Sequence, residues 1–313
     1  EPWHAPARGV AYSTPRAEHL LNVNAARMSA FDGVPDDFLA WLRTQPESAG
    51  LDDAVLAAQF APRRVYGRYL QARLDAHGAR ASLALHADAA VDLEREGPDF
   101  IATFASGARL QARAVVLAIG NLPAALPGGA PALAPVEAWD YEAVAAIAPD
   151  ADVGIIGAGL SMVDVLLTLQ ANGHRGRVLA ISRNGLMPLA QAPGTVPQPG
   201  GVDALMPLGV RARMRMLRQW AADAVAQGRP WQDAVERLRP HVRALWQACP
   251  ETERRRFLRH AVRQWDIHRH RIAPGVAAIV DGMAATGRFS LQAGRLSRIE
   301  ARDGRVAIDW TPR

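Results

Sequence analysis

ADVGIIGAGLSMVDVLLTLQANGHRGRVLAISR, residues 151–183, is the stretch that decides how this chain folds. It opens on the apolar run Val153-Gly154-Ile155-Ile156, the composition of a buried parallel strand. Gly157-Ala158-Gly159 follows, then Met162, Val163, Val165, Leu166, Leu167 and Leu169 at the spacing of an amphipathic helix. Asn172-Gly173 supplies the stop, because a helix end favours a residue that tolerates the left-handed conformation. A second apolar run, Val178-Leu179-Ala180-Ile181, ends at Ser182-Arg183. Strand, glycine turn, helix and strand in this order form the unit that receives a dinucleotide pyrophosphate. Gly157 permits the tight turn, Gly159 lets phosphate approach the backbone, and the helix start offers N–H donors and positive dipole.

Two positions set the flavour of this unit. Met162 stands where the strictest fingerprint has its third glycine or alanine, which moves the helix outward from the strand. The second strand ends in Arg183, where an NAD site would carry an acid for the ribose 2′-OH; arginine suits a 2′-phosphate, hence NADPH. The bland alternative is a structural crossover with a solvated surface arginine.

Composition bounds the rest. The 313 residues suffice for two domains, and 49% hydrophobic with 21% charged residues is a globular balance. The net charge of +5 comes without any lysine: all 36 basic residues are arginine, scattered along the chain. A nucleic-acid surface needs a concentrated basic stripe with interleaved aromatics, and the nearest approach, 254–271, does not supply one. The single cysteine, Cys249, leaves no internal disulfide, CxxC redox pair or four-cysteine zinc site. No apolar run is long enough for a bilayer, and Glu-Pro-Trp-His at the start is no signal peptide, so a cytoplasmic protein without membrane or nucleic-acid partners is expected.

Along the chain, 1–34 lacks a period and reads as loop and turn. Helices are expected from Pro35 onward through Leu42 and over 62–77. The period then changes to two, predicting short strands at 82–85, 89–94, 100–104 and 109–111 and a buried strand over 114–119 that ends in the glycine turn Gly120-Asn121. Residues 123–135 form a Pro- and Gly-rich linker, dividing the chain into domains 1–135 and 136–313. A loop over 184–201, with a candidate flap at 193–201, leads to a helical insertion at about 203–272. Its helices are expected over 208–227, 231–247 (kinked near Pro240) and 251–269, with a further helix over 275–285. Strands over 289–293, 296–301 and 306–310 follow, with a hairpin turn at Asp303-Gly304.

Several motifs now line up: Arg8-Gly9-Val10-Ala11-Tyr12-Ser13, His19-Leu20-Leu21-Asn22-Val23, Ala61-Pro62-Arg63-Arg64-Val65-Tyr66-Gly67, Val116 to Asn121, Gly157 to Ser161, and Trp265 to Arg271. On these residues the chain resembles the flavoprotein oxidoreductases with two dinucleotide-binding domains, especially the flavin-dependent monooxygenase-like proteins. The resemblance implies an α/β fold of two Rossmann-like domains with a β-meander and a helical insertion. It implies FAD and NADPH as cofactors, hydride transfer from NADPH to the flavin, and oxygen activation toward a small-molecule substrate. A reductase without oxygen transfer and a non-catalytic relative that binds NADP or a protein partner stay open beside it. The resemblance also implies that the first domain is partial. The flavin's own strand and glycine turn would precede Glu1, and the return to the flavin domain would follow Arg313, so a longer parent protein is expected.

Carried over residue by residue, the resemblance puts Glu1 on the adenosine ribose and Gly9, Tyr12, Ser13, Asn22 and Val23 along the flavin side. Gly120 and Asn121 meet the cofactor at a strand end, Gly157, Gly159, Leu160 and Ser161 hold the NADPH pyrophosphate, and Ser182 and Arg183 hold the 2′-phosphate. His260, His268 and His270 lack the spacing and the partner ligands of a metal site, so no metal is expected. Arg269 or Arg271 is a candidate for cofactor phosphates or an anionic substrate; the plain alternative is a basic helix end bonded to carboxylates. Trp265 reads as a core residue.

Overall fold

The computed structural model describes residues 6–78, 82–120, 135–195, 200–302 and 305–313, which separate into one unit up to Ala146 and a second from Ile147 onward.

The first unit is built on the helices Asp37–Arg43, Asp53–Ala58 and Arg63–Gly78. Leu21, Phe38, Leu39, Leu42, Leu56, Val65, Tyr66 and Tyr69 form its core. The Phe38 ring meets Tyr66 and Tyr69, each at 5.0 Å between centroids, in the tilted and edge-on geometries that aromatic quadrupoles favour. Beside them Asp37 takes two hydrogen bonds from Arg73, at 2.7 and 2.9 Å, and one from the Tyr69 hydroxyl at 2.5 Å. Two of the sequence motifs dock on each other: Leu21 N donates to Ala61 O (2.9 Å), Arg63 N to His19 O (2.7 Å) and Arg63 Nε to Leu20 O (3.0 Å). The stretch expected to be wholly irregular contains the short helical turns Gly9–Tyr12 and Ala25–Arg27.

Burial pushes the Tyr66 phenol up to about 12, with Tyr12 and Tyr69 adding to the rise. The folded state therefore holds this proton more tightly than the unfolded chain, whose tyrosines ionise near pH 10. Its contribution to stability is complete below about pH 10 and is lost as pH rises through about 12. We expect the melting temperature of Tyr66→Phe to fall less steeply over that window than that of the unaltered protein. Identical slopes in alkaline thermal melts would remove Tyr66 from the account.

A three-stranded antiparallel meander follows: β1 (Ala90–Glu96), β2 (Asp99–Phe104) and β3 (Arg109–Ala112). Two expectations are corrected here. Residues 82–85 form no strand, and Leu83 and Leu85 are exposed. Residues 114–119 are also outside any strand, with Val116 90%, Leu117 69% and Ile119 72% exposed. A buried strand needs neighbours for its N–H and C=O groups, and among the described residues of this unit none runs beside 114–119.

The second unit contains residues 151–183. β4 (Val153–Ile156), the helix Leu160–Ala171 and β5 (Val178–Ser182) form a strand–helix–strand crossover with β4 and β5 parallel, Val153 opposite Val178 and Ile156 opposite Ile181. β6 (Phe289–Arg302) lies parallel to β5 and then turns back antiparallel with β7 (Arg305–Pro312), giving the sheet order β4-β5-β6-β7. β6 is one continuous strand where two were expected. Its register sets Arg302 opposite Arg305, while Asp303 and Gly304 lie outside the described residues.

The crossover helix is more enclosed than an amphipathic helix. Every residue from Met162 to Leu169 is buried, because the helix Pro274–Ala285 packs on it as well. Gly173, at φ +70°, ends it as expected, and His174 N returns to Leu169 O at 3.0 Å. The insertion carries helices Val210–Ala226, Gln232–Leu238, Val242–Gln247, Glu251–His260 and Val262–Arg269. The kink expected near Pro240 is a 3-10 turn, Arg239–His241. Trp265 packs against the insertion's own core of Val202, Leu205, Leu238 and Leu245.

Candidate functional site

In open parallel sheets ligands gather at the carboxyl ends of the strands. At that end of β4 the chain turns through Gly157, whose φ of +108° is a conformation L side chains rarely adopt. Gly157 N donates to Ile181 O (2.8 Å), which holds the turn against β5. Gly159 then caps the crossover helix from extended backbone (φ −95°, ψ −167°), and no side chain satisfies the helix start. A Cβ built at Gly157 or at Gly159 meets no protein atom within 4 Å. The turn is therefore an open cradle of backbone N–H groups at a positive helix end, the local arrangement that a pyrophosphate requires. Leu160 and Ser161 occupy the first helical positions.

A cleft of about 250 Å³ opens beside this cradle. Gly159 and Leu160 form one wall, Pro188 the loop side, and Arg263, Asp266, Ile267 and His270 the other wall. Arg263 Nη2 donates to the carbonyls of Ala158 (2.6 Å) and Leu186 (2.7 Å). Burial, reinforced by the neighbouring Arg269, holds the His270 imidazole below its usual value, with Asp266 at 3.8 Å pulling the other way. His270 is thus neutral at pH 7, able both to donate and to accept a hydrogen bond.

The remaining expected residues of this unit are placed as follows. Ser182 Oγ accepts from Gly185 N (3.1 Å) and shapes the turn after β5. Arg183 is exposed at that strand end and is not a lining residue of the cleft. Arg271 is only 2% exposed: its guanidinium pairs with the equally buried Glu236 and lies over the Trp231 ring at 5.8 Å. That buried pairing is the carboxylate contact weighed as the plain alternative, and it takes the place of the candidate anion contact at Arg271. Arg269 is half-buried and also outside the cleft lining. The sequence reads His270 as a metal ligand or as part of a carboxylate-bonded helix end, and it does not single out Arg263. Among the described residues no cluster of His, Cys, Asp or Glu is arranged to hold a metal ion.

In the first unit, Gly9 (φ +52°) begins a helical turn that Ser13 Oγ closes by donating to Gly9 O (2.7 Å). The Tyr12 ring is tilted against that of Tyr66, 4.8 Å between centroids, and burial raises its phenol pKa above the usual value. Asn22 and Val23 are half-buried beside the 59–63 segment, and Gly120 (φ +68°) is exposed. Glu1 and Asn121 lie outside the described residues. Arg8 Nε and Asn24 Oδ1 are buried with no hydrogen-bond partner. Each such group is a deficit of about 1–3 kcal/mol that a polar ligand along this segment would relieve. The residues present therefore fit the nicotinamide dinucleotide in the second unit and part of a flavin site in the first.

Residues 1–122 match the family model described as FAD-NAD(P)-binding. Among solved structures, L-lysine 6-monooxygenase from Pseudomonas syringae superposes with a TM-score of 0.53 at 15% identity, over 95% of this chain and 64% of that one. The lysine monooxygenase NbtG from Nocardia farcinica gives 0.46 at 14% identity, over 97% of this chain and 66% of that one. The chain thus spans a little under two thirds of the length of each. No curated protein matches it. The expected α/β fold is borne out, and the match over residues 1–122 fits the resemblance to FAD- and NAD(P)-binding proteins. No helix among the described residues is long and apolar enough to cross a membrane.

Proposed function

We propose that this chain forms the nicotinamide-binding part, and some of the flavin-binding part, of an FAD- and NADPH-dependent oxidoreductase of the monooxygenase-like kind, acting on a small molecule. The open cradle at Gly157–Gly159 carries this reading: two side-chain-free positions at an uncapped helix start, facing space rather than protein. When bound, the nicotinamide and the flavin supply the redox chemistry. The chain's own residues bind and orient. Backbone N–H groups at the start of the crossover helix take the pyrophosphate, Arg183 takes the 2′-phosphate, and neutral His270 offers a hydrogen bond inside the cleft. No nucleophile or paired general acid and base is required.

Titration of the purified protein with NADP⁺ and NADPH, followed by calorimetry, tests the binding, and the flavin absorbance of the preparation tests the second cofactor. Saturable NADPH binding is expected, and its absence overturns the reading. NADPH consumption with and without candidate substrates then separates oxygen transfer from plain reductase activity. Arg183→Asp is expected to weaken NADPH by on the order of 10-fold or more while leaving NADH near its original affinity, since only the former carries the 2′-phosphate. An equal change for both nucleotides would take Arg183 out of phosphate recognition.

A further inference from the structure

Arg263 breaks a local rule. It stands in the first turn of the Val262–Arg269 helix, a turn with no acidic residue, where the helix dipole disfavours a cation. Local rules are broken where another demand outweighs them, and functional sites are the usual place. Nη2 alone serves two carbonyls, Ala158 in the middle of the glycine turn and Leu186 in the loop after β5. No carboxylate among the described residues pairs with this guanidinium, and Asp266, which shares the cleft, lies against His270 instead. The side chain lines the cleft beside Gly159 and Leu160. A planar fork so placed can keep two N–H bonds to the turn and still offer the others to an anion, which a lysine ammonium cannot do in fixed geometry.

We propose that Arg263 is the cation that binds the pyrophosphate of the nicotinamide dinucleotide while fixing the glycine turn open toward it. This rests on the dinucleotide reading above. It gives the two arginines separable roles: Arg183 distinguishes NADPH from NADH, whereas Arg263 serves the group that both share.

The test is calorimetric titration of the full chain with NADP⁺, NAD⁺ and adenosine 2′-monophosphate, which lacks the pyrophosphate. Arg263→Met is expected to weaken both dinucleotides by on the order of 10- to 100-fold, to leave their ratio unchanged and to spare the 2′-monophosphate. Arg263→Lys, which keeps the charge, should recover part of the loss, and it carries the same comparison if the methionine variant does not fold. Unchanged dinucleotide affinity in these variants overturns the proposal. Equal weakening of the 2′-monophosphate also overturns it, because the turn itself would then have collapsed. If the unaltered protein binds neither dinucleotide, the functional reading fails and this inference falls with it.

Discussion

Replacing Gly159 by valine is expected to lower NADPH affinity by on the order of 100-fold or more while lowering the melting temperature only slightly, through the poorer helix cap. The backbone at Gly159 (φ −95°, ψ −167°) is extended, so a β-branched residue adopts it without strain. No protein atom lies within 4 Å of a Cβ placed there. On the proposed function, the space is taken by a ligand pressed against the backbone. Gly157 behaves differently. Its φ of +108° makes any side chain strained, so Gly157→Ala should destabilise by about 1–2 kcal/mol as well as weaken binding. The pair of variants separates a conformational glycine from a spatial one. Parallel calorimetric titrations and thermal melts give the comparison. A Gly159→Val protein that binds NADPH as tightly as the original would place the pyrophosphate elsewhere.

The crossover was legible in the sequence because three local signals agreed over residues 151–183: apolar strands, a glycine turn and an Asn-Gly stop. The helices at Asp53–Ala58 and Tyr141–Ala145 were missed, since five or six residues show no period. Their signal was the cap: Asp52 accepts from Val55 N and Asp140 from Ala143 N. Residues 114–119 misled because composition reports what a segment would bury, whereas burial depends on partners that sequence does not place. The enclosure of the crossover helix depends likewise on the distant Pro274–Ala285 helix.

The site divides along the same line. Gly157, Gly159 and Arg183 lie within one crossover unit, so their places at its turn and strand end could be read directly. Arg263 reaches Ala158 across 105 residues of sequence, so that contact was hidden in a run that reads as a basic helix. An arginine in a helix's first turn, with no acid in that turn, was the one available sign. Arg271 follows the plain alternative, a basic helix end bonded to a carboxylate, but that carboxylate, Glu236, lies 35 residues upstream, so no local pattern names it.

That buried pair carries the second large expected effect. Glu236→Leu should destabilise the protein by about 3–5 kcal/mol, because it leaves the Arg271 guanidinium without its buried carboxylate in surroundings that water does not reach. Spread over a unit of this size, the melting temperature should fall by on the order of 10 °C. The double variant Glu236→Leu, Arg271→Met removes both charges and should regain most of the loss, since desolvating the pair offsets much of its attraction. The effect should also reach the cleft. Arg271 lies just past the helix that carries Arg263 and that His270 caps, and the neighbouring Ile272 N donates to Leu189 O at 2.9 Å, while Gln232 Nε2 donates to Ala190 O at 3.1 Å. Loosening Arg271 therefore loosens the wall opposite the glycine turn, and dinucleotide affinity in Glu236→Leu should fall with stability and return in the double variant. A single-variant cost below about 1 kcal/mol in thermal and urea melts would instead mean that solvent reaches the pair, as it does for exposed ion pairs.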